Sequence, residues 1–217
     1  MDRIDVIRKM KDKEIPDERI EHGGQVCDLA LKIAARIEAK EGVSLDHTNI
    51  MSGALIHDAG FTRCKGKPIT VSILGKKEFE VPEDVVLHGM YGAEIAKEMG
   101  FNYEVQMIIL RHELIAVNLD ERAQLGILPL PAEDVVPVTW EEKAVMYADG
   151  LVFLVAGLGL DLWNDPEAPA KGFFDLLKSI AGPLSKDPII ISHPVLERSN
   201  RLNAELKDYA DPQWLVQ

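Results

Sequence analysis

The sequence predicts an all-α bundle with a β-hairpin or loop insertion at about 67–82 and a C-terminal helical extension. Along most of the chain, apolar residues recur three and four positions apart, the spacing of one helix face. The 217 residues are 47% hydrophobic and 28% charged, enough to bury a core. We expect one domain over 1–217, with its core at about 17–155 and an appended helical region at about 156–217.

The first two predicted helices have recognisable ends. Pro16 and Asp17 are typical of a helix start, and the apolar stripe that follows runs to about Lys40. Asp46 is an N-cap residue for a second helix, which the sequence breaks at Gly60. Two inward-facing helices are therefore expected before residue 60.

The insertion departs from helical spacing. Ile69 to Ile73 and Glu78 to Val81 are rich in β-branched residues or alternate in polarity, and they flank Gly75. Such a pattern is typical of a hairpin or a loop excursion from the helical body.

Helical patterns return after the insertion. A third predicted helix carries His88 and ends at Gly100, and a fourth places Val105 and His112 on one face. The stretch 120–137 contains three prolines and is predicted to be an irregular loop.

The next helix has the clearest start in the chain. Thr139 and Glu142 have capping-box spacing, and the helix they open carries Asp149 within an apolar stripe. Beyond it, 161–169 resembles a linker, and short helical patterns follow at 172–180 and 194–209.

Composition limits the function. The 36 acidic and 24 basic residues give a net charge of −12, so no broad nucleic-acid surface is expected. Cys27 and Cys64 form no CxxC pair, which favours neither a thiolate zinc site nor a disulfide framework. No segment is typical of a signal peptide or a membrane span, so we predict a cytoplasmic protein without a membrane partner.

Ionisable side chains occupy or end the inward stripes of five predicted helices: His22, His57, Asp58, His88, His112 and Asp149. Burying such groups is costly unless they are paired or bind a metal. Nitrogen and oxygen ligands suit divalent Mn, Fe, Co, Ni or Zn, with Mg disfavoured. Six ligands exceed the need of one ion, so we expect one or two ions.

The order His22, His57-Asp58, Asp149 resembles the H…HD…D signature of the HD-domain superfamily of metal-dependent phosphohydrolases. His57-Asp58-Ala59-Gly60 is similar to that family's His-Asp-Ile-Gly form, and the resemblance covers about 17–155. His88 and His112 match the additional histidines of binuclear members.

The resemblance implies an HD-type bundle and a division of the ligands. One ion would be held by His22, His57, Asp58 and Asp149. Asp58, which would also be catalytic, would bridge to a second ion held by His88 and His112. A metal-activated water would then cleave a small phosphomonoester or nucleotide.

A basic segment follows the HD pair. From Ala59 to Lys77 there are five basic residues and no acidic one. We predict that Arg63 and Lys65 act catalytically by contacting the substrate phosphate. The lysine that often follows His-Asp-Ile-Gly in the family is Phe61 here, so the chain departs from the family's pattern at this position.

Two other functions stay open. Some members of the superfamily use the same binuclear ligands with iron to activate O₂, which makes an oxygenase one alternative. A non-catalytic, metal-stabilised regulatory module is the other. A phosphodiesterase of the HD-GYP kind is disfavoured because the matching Gly-Tyr-Pro motif is missing. The oligomeric state, native metal and leaving group are not predicted.

Overall fold

The computed structural model describes residues 1–65, 68–73, 77–113, 118–124, 130–157, 159–165 and 193–215. The predicted all-α body is confirmed. The α-helices of the described residues are α1 (Arg3–Asp12), α2 (Asp17–Glu41), α3 (His47–Ile56), α4 (Glu83–Glu98), α5 (Tyr103–Leu110), α6 (Leu119–Gln124), α7 (Trp140–Leu151) and α8 (His193–Leu206).

Shorter elements connect and end these helices. 3₁₀ turns span His57–Arg63, Lys207–Tyr209 and Pro212–Leu215, and a π-helical turn, Val152–Gly157, continues α7. The predicted hairpin is also present: strands β1 (Pro68–Ile73) and β2 (Lys77–Pro82) pair antiparallel.

Helix α2 forms the centre of the bundle and packs against α3 and α7. It begins after Pro16, with Asp17 in its first turn, and ends at Gly42, whose φ of 68° suits a residue without a side chain. The predicted start is confirmed, and the end lies one residue beyond the expected Lys40. Its inward residues, Val26 and Ile33 among them, are fully buried.

Helix α7 has the predicted capping box. The Thr139 hydroxyl accepts from the Glu142 amide at 3.3 Å, and the Glu142 carboxylate accepts from the Thr139 amide at 3.1 Å. The same carboxylate accepts from the Arg111 guanidinium at 2.8 Å, which ties α7 to the end of α5. The start of the helix that carries Asp149 is thus fixed from two sides.

Glycines allow two close backbone approaches. A Cβ on Gly23 of α2 would overlap the carbonyl oxygen of Leu55 in α3. A Cβ on Gly60, after the HD pair, would overlap the carbonyl oxygen of His88 in α4. These contacts bring together the backbones on which His22, His57 and His88 stand.

Three local expectations were wrong or incomplete. The sequence did not predict α1, whose Val6 and Met10 are buried although its other positions are mostly charged. Helix α6 lies partly in the stretch predicted to be irregular, and Asn118 and Glu121 form a reciprocal cap at its start. Helix α5 ends at Leu110, so His112 lies beyond the helix and not on its face.

The C-terminal region shares the core of the bundle. Leu202 and Leu206 of α8 belong to the same buried apolar cluster as α2 and α7. The Tyr147 hydroxyl of α7 donates to Asn203 at 3.0 Å. The helical pattern predicted at 194–209 is therefore confirmed, whereas the one at 172–180 lies outside the described residues. No described helix has the length and apolar character needed to cross a bilayer.

Gly23 and Gly24 offer a matched test of the close approach. Alanine for glycine inside a helix favours folding by about 0.5–1 kcal/mol. At Gly23 the clash with Leu55 should outweigh this gain, so we expect Gly23→Ala to lower the free energy of unfolding by about 1–3 kcal/mol. A Cβ on Gly24 would meet only the end of the long Arg3 side chain, which can shift, so Gly24→Ala should be neutral or stabilising. Urea denaturation measures both, and equal stabilities would contradict the packing argument.

Candidate metal centre

The structure brings all six predicted ligand residues to one place. They arrive from α2, from the turn after α3, from α4, from the residues after α5 and from α7, as His22, His57, Asp58, His88, His112 and Asp149. The surrounding helices bury His57 completely and leave His112 only 1% exposed. The site therefore lies where the bundle is tightly packed, with His22 and Asp149 partly open to solvent.

One group of ligand atoms centres on Asp149. Its Oδ1 lies 3.2 Å from Nε2 of His22 and 3.3 Å from Nε2 of His57. The ligand atoms of these three residues all lie within 4.8 Å of one another, close enough to share an ion.

A second group centres on Asp58. Ligand atoms of His57, Asp58 and His112 also lie within 4.8 Å of one another. Nε2 of His88 faces Nε2 of His112 at 3.0 Å, and Asp58 Oδ1 lies 3.9 and 3.8 Å from these two nitrogens. The other oxygen, Oδ2, is 3.7 Å from His22 Nε2. Asp58 thus contacts both groups, as the bridging role requires.

The hydrogen bonds of two rings fix which nitrogen faces the cluster. Nδ1 of His57 donates to the carbonyl oxygen of Ala54 at 2.7 Å, and Nδ1 of His112 donates to that of Ile109 at 2.6 Å. We assign Nδ1 as the donor because a carbonyl oxygen can only accept. In a neutral ring Nε2 then carries a lone pair towards the other ligands, the arrangement that protein metal sites use.

Nε2 of His57 gives the most direct indication of a metal. It is buried and has no hydrogen-bond partner among the described residues. A buried acceptor left in this state is costly unless an ion or a proton occupies it. The donor set of imidazole nitrogens and carboxylate oxygens fits a divalent transition metal.

Charges shift the pKa values within the cluster. Burial disfavours the charged form of His57, but the Asp58 and Asp149 carboxylates outweigh it and raise its pKa to about 9. Burial likewise opposes ionisation of Asp149, yet His57 and the bond from His22 lower its pKa well below the usual range. Burial, with His57 and His88 nearby, lowers the pKa of His112. Without metal, His57 holds the proton that balances the carboxylates.

Sequence reasoning missed Arg19, which lies one turn before His22 on α2. Its Nη1 donates to Asp58 Oδ2 at 2.9 Å. The guanidinium lies 4.1 Å from the centre of the Phe61 ring, and that ring stacks on His88 with centroids 4.3 Å apart. The spacing of three from His22 was the available signal, because residues three apart share a helix face.

Glu113 was also missed. Its Oε1 lies 3.8 Å from His88 Nε2, and burial raises the pKa of its carboxyl group. It follows His112 in sequence as Asp58 follows His57, a parallel visible in the sequence itself.

The described part of the basic segment contains Arg63 and Lys65, whose contact with a substrate phosphate stays a prediction. The Arg63 guanidinium pairs with Glu94 at 3.2 Å and Glu98 at 2.6 Å, both on α4, and has no described contact with the ligand cluster. Lys65 is exposed just after the 3₁₀ turn. Lys67 and Lys76 lie outside the described residues.

The geometry is matched by a sequence comparison. The family model of the HD domain matches residues 19–153, a span that contains all six candidate ligands. The chain belongs to the HD-domain family. This confirms the resemblance to the superfamily of metal-dependent phosphohydrolases, while the role of each ligand residue stays a prediction.

Related proteins differ in length. An uncharacterized protein of Methanocaldococcus jannaschii is 29% identical over 87% of this chain and 88% of its own length. Two tRNA (cytidine(56)-2'-O)-methyltransferases, from Picrophilus torridus and Thermoplasma volcanium, are each 29% identical over 66% of this chain. The matches take in only 34% and 39% of those two enzymes. The methyltransferase activity in their names is therefore not assigned to this chain.

One solved structure has a similar extent. The HD domain of the L. monocytogenes phosphodiesterase PgpH is 16% identical and superposes with a TM-score of 0.48. The match covers 94% of this chain and 97% of that one.

The two ligand groups predict different losses of metal. His88 and His112 would serve only the second ion, so alanine at either should reduce bound metal from two ions towards one. Asp58 contacts both groups and would bridge both ions, so Asp58→Ala should remove both. Elemental analysis measures the content, and circular dichroism should show unchanged helicity. His47→Ala, at an exposed histidine paired with Glu38, is the matched control and should retain both ions. A wild-type protein that never binds more than one ion would refute the binuclear arrangement.

Metal uptake should depend on pH through His57. A ligand imidazole must be neutral, but with a pKa of about 9 the metal-free ring is protonated at pH 7. Apparent metal affinity should therefore rise by about tenfold per pH unit from 7 and level off near 9. Calorimetry at pH 7.5 in buffers of different ionisation enthalpy should detect the release of about one proton for each His57 that binds metal. An affinity that stays constant over this range would contradict the proposed charge balance.

Proposed function

We propose that the protein is a metal-dependent phosphohydrolase that cleaves a small phosphomonoester or a nucleotide. The observation that carries the proposal is the convergence of six ligand side chains, with the buried Nε2 of His57 unpartnered among the described residues. Membership of the HD-domain family supports the same reaction class.

The proposed metal is divalent Mn, Fe, Co, Ni or Zn, held by the two ligand groups. His22, His57, Asp58 and Asp149 would hold one ion, and Asp58 with His88 and His112 would hold the other. A divalent ion in such a site lowers the pKa of coordinated water from 15.7 towards about 7, which supplies a nucleophile at neutral pH.

The side chains of this protein orient the site. The carbonyls of Ala54 and Ile109 fix the rotation of the His57 and His112 rings, so their Nε2 atoms point inward before any ion arrives. Asp58, which contacts both ligand groups, links them to each other. We propose that these constraints hold the ligand side chains in position before the substrate phosphate arrives. Less reorganisation of the site would then be needed during the reaction.

We also propose that Arg63 and Lys65 attract the substrate phosphate from the rim. Lys65 is exposed and adjacent in sequence to the site. Arg63 would have to leave Glu94 and Glu98 to make this contact, so its contribution should depend on ionic strength.

Activity with a defined metal tests the proposal. Protein purified without added metal would be analysed for its native ion, reloaded with it, and assayed on a panel of phosphomonoesters and nucleotides. We expect phosphate release that chelation abolishes. Asp58→Asn should lower kcat/KM by more than about 100-fold, beyond the usual loss from a residue that only supports a ligand.

Other outcomes identify the alternatives. Uptake of O₂ by the iron-loaded protein, without phosphate release, would make it an oxygenase. Metal binding that stabilises the fold without turnover of any panel substrate or O₂ would identify a regulatory module.

A further inference from the structure

Arg19 forms the edge of the metal centre. It lies on α2 and donates from Nη1 to Asp58 Oδ2 at 2.9 Å, yet its side chain keeps 35% of its surface exposed. The other oxygen of Asp58, Oδ1, lies 3.4 Å from Nε2 of the completely buried His57. Arg19 is therefore in contact with a proposed ligand and open to solvent, as a residue that meets incoming substrate must be.

The ring of Phe61 lies beneath the guanidinium of Arg19 and itself stacks on His88. Arg19 lies over Phe61 at 4.1 Å, and Phe61 stacks on His88 with 20° between the ring planes. A cation over an aromatic face is attracted to it and loses rotational freedom. The Arg19 fork is thus held by Phe61 independently of its bond to Asp58.

The charge balance of the site favours a change of partner for Arg19, from Asp58 to an anion, when a metal ion binds. Leaving the proton on His57 aside, the charges of Asp58, Asp149 and Arg19 sum to one negative charge, and the Asp58 carboxylate attracts the guanidinium. A divalent ion at Asp58 would neutralise that carboxylate and weaken its hold on Arg19. The same ion would make the sum positive, which favours an anion at the guanidinium.

We infer that Arg19, held over the Phe61 ring, receives the anionic phosphoryl group of the substrate beside the metal centre. This inference rests on the proposed function. An arginine fork binds two phosphate oxygens at once, which gives orientation as well as affinity. Phe61 is a positioning residue that acts through Arg19.

Arg19 suits this role better than Arg63. Arg63 is paired with two glutamates that no described contact links to the ligand cluster. Metal bound at the cluster would not neutralise these glutamates, so they would keep their ion pairs with Arg63. Arg19, in contrast, is paired with Asp58 itself.

The test is calorimetric binding of inorganic phosphate to the metal-loaded protein, with metal content measured on each sample. Arg19→Gln should keep the wild-type metal content and weaken phosphate binding by about 10- to 100-fold. Arg19→Lys, which keeps the charge without the fork, should bind with intermediate affinity. Arg8→Gln is the matched control, because Arg8 also pairs with an aspartate but lies exposed on α1, and it should bind phosphate as wild type does.

A double-mutant cycle tests the stack. Phe61→Leu should weaken phosphate binding several-fold in wild type and have no further effect in Arg19→Gln, because Phe61 acts through the guanidinium. Independent, additive losses would overturn the positioning role of Phe61.

The outcomes separate the two proposals. Wild-type phosphate affinity in loaded Arg19→Gln would overturn the inference and leave the phosphohydrolase proposal standing. Loss of metal from Arg19→Gln, with unchanged phosphate affinity in the sites still loaded, would also overturn it, because Arg19 would then act only on Asp58. Phosphate binding that depends on Arg19, in a protein that hydrolyses no panel substrate, would support the inference while the proposed reaction fails. If wild type takes up no metal, both proposals fall.

Discussion

Two carboxylates and four imidazoles meet inside an apolar bundle, and their mutual compensation is the constraint on which the rest of the structure depends. A single buried carboxylate would be strongly destabilising, but Asp149 lies within 3.3 Å of both His22 and His57. Each buried charged side chain offsets the free-energy cost of burying its oppositely charged neighbour. The cluster is therefore stable only when all the helices that carry it are in place. The close approaches at Gly23 and Gly60 follow from this requirement, because larger residues would separate the backbones that carry the ligands.

The same compensation links the fold to the chemistry. His57 is held between two carboxylates, and its Nε2 can be occupied by a proton or by an ion but not by both. The raised pKa of His57 therefore reflects the attraction that the site offers to any cation. An ion with two charges, fixed by several ligands at once, gains more from these carboxylates than a single proton does.

The sequence predicted those features that rest on local patterns. Thr139 and Glu142 fixed the start of α7, and the periodic stripes placed His22 and Asp149 facing inward. Helix α1 was missed because only Val6 and Met10 of its ten residues are buried, too few for a clear apolar stripe among its charges. The contacts of Arg63 could not be predicted, because Glu94 and Glu98 lie about thirty residues away in sequence and reach it only through the packing of α4 on the 3₁₀ turn. Arg19 was overlooked for the opposite reason: it stands in the first turns of α2 among charged residues, where a solvated role is the usual expectation.

The proposed role of Arg19 at the metal centre also explains how an acidic protein would bind an anion. The net charge of −12 is spread over the chain, and at physiological ionic strength charges more than about 8 Å apart are largely screened. The potential at the site is therefore set by the few groups in contact with it. Without metal these groups favour a cation, and in the proposed metal-loaded site the same groups would favour a phosphate. An acidic exterior is then compatible with phosphate chemistry, since only the loaded site needs to be positive.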